Sequence, residues 1–159
     1  MGCHLSCLAA PAEIVLAIMS LQCHAAAHPS VAAQTMILQH IQASDGTFER
    51  TIHQRIADAR NIGLHILSDL RDVTLARAEG SFFFYLDLGR LLSALANNGP
   101  VRSTDEIVRS LREEANVACV SGRAFGDANG LRLSFGGPLV PVEIGLRRVV
   151  HTLNSLRSR

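Results

Sequence analysis

Apolar positions Ile14, Ile18 and Leu21 recur three and four apart, and they predict a first helix entered at Pro11, where a missing N–H costs nothing in the first turn. Ahead of that proline, the run Leu5 to Ala10 predicts a short buried strand. The chain turns at His28-Pro29-Ser30 and restarts as a second helix through Val31, Gln34, Ile37, Leu38 and Ile41, which Asp45-Gly46 stops. Phe48, Ile52, Ile56, Ala59, Gly63, Ile66, Leu67 and Leu70 then mark one face of a long amphipathic helix, with Arg50, Arg55, Asp58 and Arg60 on the other.

After Asp72 the period shortens. Val73 to Arg77 and Ser81 to Leu88 are strand-like, the second dense in Phe82, Phe83, Phe84 and Tyr85, and Glu79-Gly80 between them predicts a buried hairpin. Burial statistics favour Phe82 to Tyr85 as core strand over a ring-stacking surface. A short helix over Gly89 to Asn97 ends at Asn98-Gly99-Pro100, and Ser103 with Glu106 reads as a capping box for a helix from Thr104 to Glu114. Val117 to Val120 and Leu131 to Phe135 predict two more strands, joined across a loop that closes with Asn129-Gly130. From about Pro141, Val142, Leu146, Val149, Val150, Leu153 and Leu156 define a last helix. Helices, hairpin, helices, strands and helix in that order indicate an α+β layer architecture.

At 159 residues the chain is long enough for one core, and a formal net charge of +1 gives no bias toward nucleic acid or an acidic membrane surface. All fifteen basic residues counted as Lys+Arg are arginine, so chemistry that needs a side-chain amine is excluded for this chain. Cys3, Cys7, Cys23 and Cys119 lack the close pairing of a zinc site and read as small apolar residues, so no metal is expected. His24 and His28 run into Pro29 and read as solvated turn histidines, and Arg147 and Arg148 as a solvated helix face. The apolar stretch Leu8 to Leu21 is interrupted by Pro11 and Glu13 and has no basic flank, which argues against a signal peptide or membrane span and for a cytoplasmic protein.

Within Ser121 to Phe135, strand alternation sets Arg132 on one face and Leu131, Leu133 and Phe135 on the other. An arginine held on a regular element by an apolar backing presents a planar fork that reads a carboxylate through two parallel bonds.

Four pieces of this sequence, in order, resemble the carboxy-terminal part of class I/II, aspartate aminotransferase-like, pyridoxal-phosphate-dependent aminotransferases. Gly2-Cys3-His4-Leu5-Ser6-Cys7-Leu8-Ala9-Ala10-Pro11 is similar to G-W-R-x-G-Y-x-A-A-P, and Ser20-Leu21-Gln22-Cys23-His24 with Pro29 and Gln34 to S-x-Q-S-H-x-x-S-N-P-x-x-x-x-Q. Ala78 to Asp87 is similar to P-x-G-A-F-Y-x-F-x-D, and Gly122 to Gly126 with Leu131 to Phe135 to G-x-x-F-G and L-R-[LI]-S-[FY]. The resemblance implies a small domain of the pyridoxal-phosphate-dependent transferase fold over 45–159, preceded by the last strand and helices of the large cofactor-binding domain over 1–44. It implies pyridoxal phosphate as cofactor, an amino acid or 2-oxo acid as substrate, and Arg132 as the residue that grips the substrate α-carboxylate.

Two departures follow from the same comparison. The family's Schiff-base lysine precedes the G-W-R strand, and this chain has no lysine, so no catalytic residue is assigned and the chain alone is expected to be inactive. His4 stands where the family places an arginine on the cofactor phosphate, and the shorter, partly charged imidazole cannot make the same forked contact. The resemblance thus implies an amino-group-transferring protein and a homodimer, with the missing lysine supplied by a lysine-bearing partner chain or by an upstream segment. A non-catalytic amino-acid-binding or interaction module, and a truncated remnant, are the alternative readings.

Overall fold

The computed structural model describes residues 5–75, 78–96 and 103–156. Its elements run α1 (Ala12–Ala26), α2 (Val31–Ala43), α3 (Thr47–Leu67), β1 (Thr74–Leu75), β2 (Phe83–Asp87), α4 (Gly89–Ala96), α5 (Thr104–Glu113), β3 (Val120–Ser121), a 3₁₀ turn (Gly122–Phe125), β4 (Gly130–Ser134) and α6 (Leu139–Leu156). They fall into two compact units, Met1–Arg50 and Thr51–Arg159, with α3 running across the division.

In the first unit, Pro11 stands at the N-cap of α1 and the Ser30 hydroxyl caps α2 by accepting from the Ala33 amide at 3.3 Å. Ser44 follows α2 and donates to both Glu49 carboxylate oxygens, and His40 Nε2 lies 2.8 Å from Glu49 Oε1, which ties the end of α2 to the start of α3. Ala33 is the single buried residue of α1 and α2, while Ile14, Leu16, Ile18, Met19, Leu21, Met36, Leu38 and Ile41 are exposed. The strand expected over Leu5 to Ala10 is absent: the segment is irregular and residues 5–9 are exposed. An apolar run becomes a strand only against a ladder partner, and the periodicity of this run carried no information about one.

The second unit is an antiparallel sheet in the order β1-β2-β4-β3, covered on one face by helices. Register puts Phe84 opposite Leu133 and Leu86 opposite Leu131, and these four residues form the buried face. They pack with Ile66 and Leu67 of α3, Leu91 of α4, Ile107 and Leu111 of α5, and Leu146, Val149 and Leu153 of α6. Gly63 of α3 lets the helix approach the sheet, because a Cβ there would overlap the Phe84 ring and press on Leu146. Phe48, expected on the buried face of α3, is exposed.

The predicted hairpin forms, with Thr74 opposite Asp87 and Leu75 opposite Leu86, and Ala76 and Arg77 of the expected first strand lie outside the described residues. At the expected capping box, Ser103 accepts from the Glu106 amide at 3.3 Å and caps α5. The strand expected over Val117 to Val120 is displaced to Val120–Ser121. Asn116, at φ 53°, turns the chain after α5, and the Val117 amide donates to the Leu111 carbonyl at 2.9 Å, so the helix end takes the group a longer strand would need.

Candidate functional site

The face of the sheet away from the helices carries Phe83, Tyr85, Arg132 and Ser134, with Tyr85 directly opposite Arg132 and Phe83 opposite Ser134. Leu131, Leu133 and Phe135, at 0%, 3% and 1% exposure, back the strand from below, so Arg132 is held on a rigid element with its side chain half-buried on the open face. Its guanidinium carbon lies 4.5 Å from the centroid of the Phe83 ring and 4.6 Å from that of Phe125. Phe83 belongs to β2 and Phe125 follows β3, so each of the two strands that flank β4 brings a ring to the guanidinium. Among the described residues Arg132 has no carboxylate or carbonyl partner.

The loop that brings Phe125 into place is fixed at several points. The Ser121 hydroxyl accepts from the Arg123 amide at 3.3 Å, and Gly126 takes φ 82°, a left-handed turn that other residues resist. The Tyr85 hydroxyl donates to Asp127 Oδ2 at 2.8 Å, while Asp127 Oδ1 accepts from the Asn129 amide at 2.9 Å. Gly122 and Gly130 lie under the Tyr85 ring and hydroxyl, where any side chain would collide. Buried Thr104 donates to the Ala128 carbonyl at 2.8 Å, and exposed Arg123 pairs with Asp105 at 3.1 Å, so the loop is also pinned to the start of α5.

Electrostatics agree with that geometry. Burial, followed by the bond to Asp127, raises the Tyr85 hydroxyl above its ordinary value. The Asn129 amide, then the Tyr85 hydroxyl, hold Asp127 below the usual carboxylate range. Burial pushes the Cys119 thiol up to about 11, which suits a packing residue and not a nucleophile.

Strand alternation marks Arg132, but it does not show that Phe83, Phe125, Tyr85, Asp127 and Thr104 gather around it and its loop. Phe82 to Tyr85 was expected as core, yet of these only Phe84 is buried, while Phe83 stacks on Arg132 and Tyr85 anchors the loop. The available signal was strand alternation itself, which sets Phe83 and Tyr85 on the face opposite Phe84. His4 lies outside the described residues. His24 and His28 hydrogen-bond through Nδ1 to the Ser20 and Pro29 carbonyls, and Arg147 pairs with Glu143 at 2.9 Å on an exposed helix face.

A sequence model of "Aminotransferase class I and II" matches residues 1–149. The chain belongs to that family. It is 28% identical over 148 residues to an aspartate aminotransferase of Geobacillus stearothermophilus, covering 93% of this chain and 36% of that protein. It is 27% identical over 135 residues to an aspartate/prephenate aminotransferase of Cereibacter sphaeroides, covering 84% and 34%. Among solved structures, the aspartate aminotransferase of Rhizobium meliloti superposes with a TM-score of 0.71 at 20% identity, over 91% of this chain and 36% of the other. An α-aminoadipate aminotransferase of Thermus thermophilus, solved with N-(5'-phosphopyridoxyl)-L-leucine, superposes with a TM-score of 0.70 at 24% identity over 92% and 36%. The expected α+β, aminotransferase-like fold is therefore the observed one, and the chain spans about 36% of the first of these relatives.

Class I and II aminotransferases depend on pyridoxal phosphate. The described residues of this chain do not make a site for it. The sequence contains no lysine to bond the aldehyde, and the open face around Arg132 offers a single cation between aromatic rings, a poor fit for a phosphate ester. None of the helices among the described residues is long and apolar enough to cross a membrane.

Proposed function

We propose that this aminotransferase family member supplies the substrate-carboxylate-binding part of an amino-group-transfer enzyme, with Arg132 gripping the α-carboxylate of an amino acid or 2-oxo acid. The observation that carries the reading is the state of Arg132: fixed on β4, flanked by Phe83 and Phe125, and without a carboxylate partner among the described residues. A guanidinium so placed has its N–H edges available for a ligand carboxylate, and bidentate bonding there gives orientation as well as energy. In this reading 45–159 is the small domain and 1–44 the end of a large cofactor-binding domain. The lysine that the chemistry requires is not among these 159 residues and comes from polypeptide outside them, either an upstream segment or a lysine-bearing partner chain.

Calorimetric titration with alanine and with pyruvate tests the assignment. Saturable heat for either ligand, lost on Arg132→Ala, is the expected result, and heat that survives the substitution would reject it. A companion experiment mixes the chain with pyridoxal phosphate and borohydride. The absence of lysine requires that no adduct be fixed on a side chain. The specific case for a non-catalytic amino-acid sensor is that Arg132, Phe83 and Phe125 all lie within the second unit. Restoration of transamination on adding lysine-bearing large-domain polypeptide favours the enzyme, and ligand binding without such restoration favours the sensor.

A further inference from the structure

We infer that Phe83 and Phe125 are positioning residues that make Arg132 selective for a planar carboxylate over tetrahedral oxyanions. This rests on the proposal that Arg132 binds a ligand anion, and goes beyond it by assigning the source of selectivity. Guanidinium alone does not discriminate: sulfate and phosphate also accept two parallel N–H bonds, and a dianion gains more Coulomb energy than a monocarboxylate. On charge alone, sulfate should bind at least as well as a 2-oxo acid. The surroundings of Arg132 reverse that order.

One aromatic ring reaches the guanidinium carbon from each side of β4, at 4.5 and 4.6 Å. In the proposed arrangement the two rings cover the faces of the cation and leave its in-plane edge to a ligand. A carboxylate, planar like the guanidinium, can lie along that edge between the rings and place its oxygens on two N–H groups. A tetrahedral oxyanion that makes the same two bonds carries its remaining oxygens out of the plane, toward the electron-rich ring faces, where they lose water without gaining a donor. The aromatic walls also hold the guanidinium in one orientation, so little side-chain freedom remains to be lost on binding.

Phe125 is held for this role by the loop anchored through Tyr85 and Asp127, and Phe83 by its place on β2. Phe125 is 54% exposed, far more than a side chain recruited only to fill a core, and its ring lies 4.6 Å from the Arg132 guanidinium carbon.

Nuclear magnetic resonance of the Arg132 Nε–Hε group tests the inference at the site itself, with the signal assigned by its loss in Arg132→Gln. The full chain is titrated with pyruvate and, separately, with sodium sulfate, as wild type and as Phe125→Leu, Phe83→Leu and Phe125→Tyr. The wild-type resonance should respond to pyruvate at concentrations about tenfold lower than to sulfate, the ratio that ~1.4 kcal/mol provides. Phe125→Leu should bring the two affinities together or invert them, Phe83→Leu should do the same, and Phe125→Tyr, which keeps a ring in place, should restore the preference. Since Phe125 is largely exposed, its leucine variant should melt with the wild type, which separates selectivity from folding. An unchanged pyruvate-to-sulfate ratio in Phe125→Leu overturns the inference while leaving Arg132 as the anion-binding residue. No saturable response of Arg132 to pyruvate in the wild type overturns the anion-binding proposal, and this inference with it.

Discussion

Tyr85 is the chain's one tyrosine, and the chain has no tryptophan, so its ionisation can be followed without interference by ultraviolet difference absorbance. Its folded pKa is raised by burial and by Asp127, so its contribution to stability is complete below the ordinary phenol value and is lost as pH rises through the raised one. The expected midpoint therefore lies above 10, the ordinary value, and Asp127→Asn should lower it. A midpoint unchanged by that substitution would mean the two groups do not interact in solution. Asp127 has the opposite sign: its folded pKa is depressed, so its contribution is present above the ordinary carboxylate value and is lost as pH falls through the lowered one. Thermal melting on the acid limb should accordingly change less with pH in Asp127→Asn than in the wild type. At this scale Arg132 was legible because a strand's two-residue period sorts its neighbours into a buried set and an open one. Its partners were less legible, because Phe83 and Phe125 meet it only through strand order, and no local pattern encodes that β4 lies between β2 and β3.

Among the elements, Gly63 marks where α3 comes closest to the sheet. Gly63→Ala should lower stability by about 1–3 kcal/mol in chemical denaturation despite the better helix propensity of alanine, because the added methyl meets the Phe84 ring. A neutral or stabilising result would show that Phe84 can move aside. Ser103→Ala, which removes the N-cap of α5, should cost about 0.5–2 kcal/mol by the same measurement. Long helices were readable to within a few residues, since α3 and α6 each bury one periodic stripe and α2 begins at a serine cap beside a proline. Strands fared less well. Leu5 to Ala10 and Val117 to Val120 are apolar enough for strands, but whether backbone groups find a ladder, a helix end or water is settled by tertiary partners.

For the whole molecule, the two units differ in how they are held. The second has a core that runs from Phe84 and Phe135 to residues of α3, α4, α5 and α6, whereas α1 and α2 of the first contribute Ala33 alone to the buried set. Fifty residues with that little burial have few apolar contacts to oppose local opening. Thermolysin, which cuts beside large apolar residues, should therefore cleave first between Leu5 and Phe48 and leave a resistant fragment that begins within α3. Early cleavage inside β2 or β4 would contradict this picture of the two units. The family was legible from motif order, and Arg132 was legible within it. The difference in burial between the units was not, because an apolar helical stripe reads the same in sequence whether or not the described chain covers it.

The most direct test of the central claim is a crystal structure of the chain with a 2-oxo acid such as pyruvate. The account predicts the ligand carboxylate on the open face of the sheet, bonded through both oxygens to Arg132 at about 2.7–2.9 Å and lying between Phe83 and Phe125. A carboxylate bound elsewhere, or an Arg132 engaged by a carboxylate of the protein itself, would contradict it.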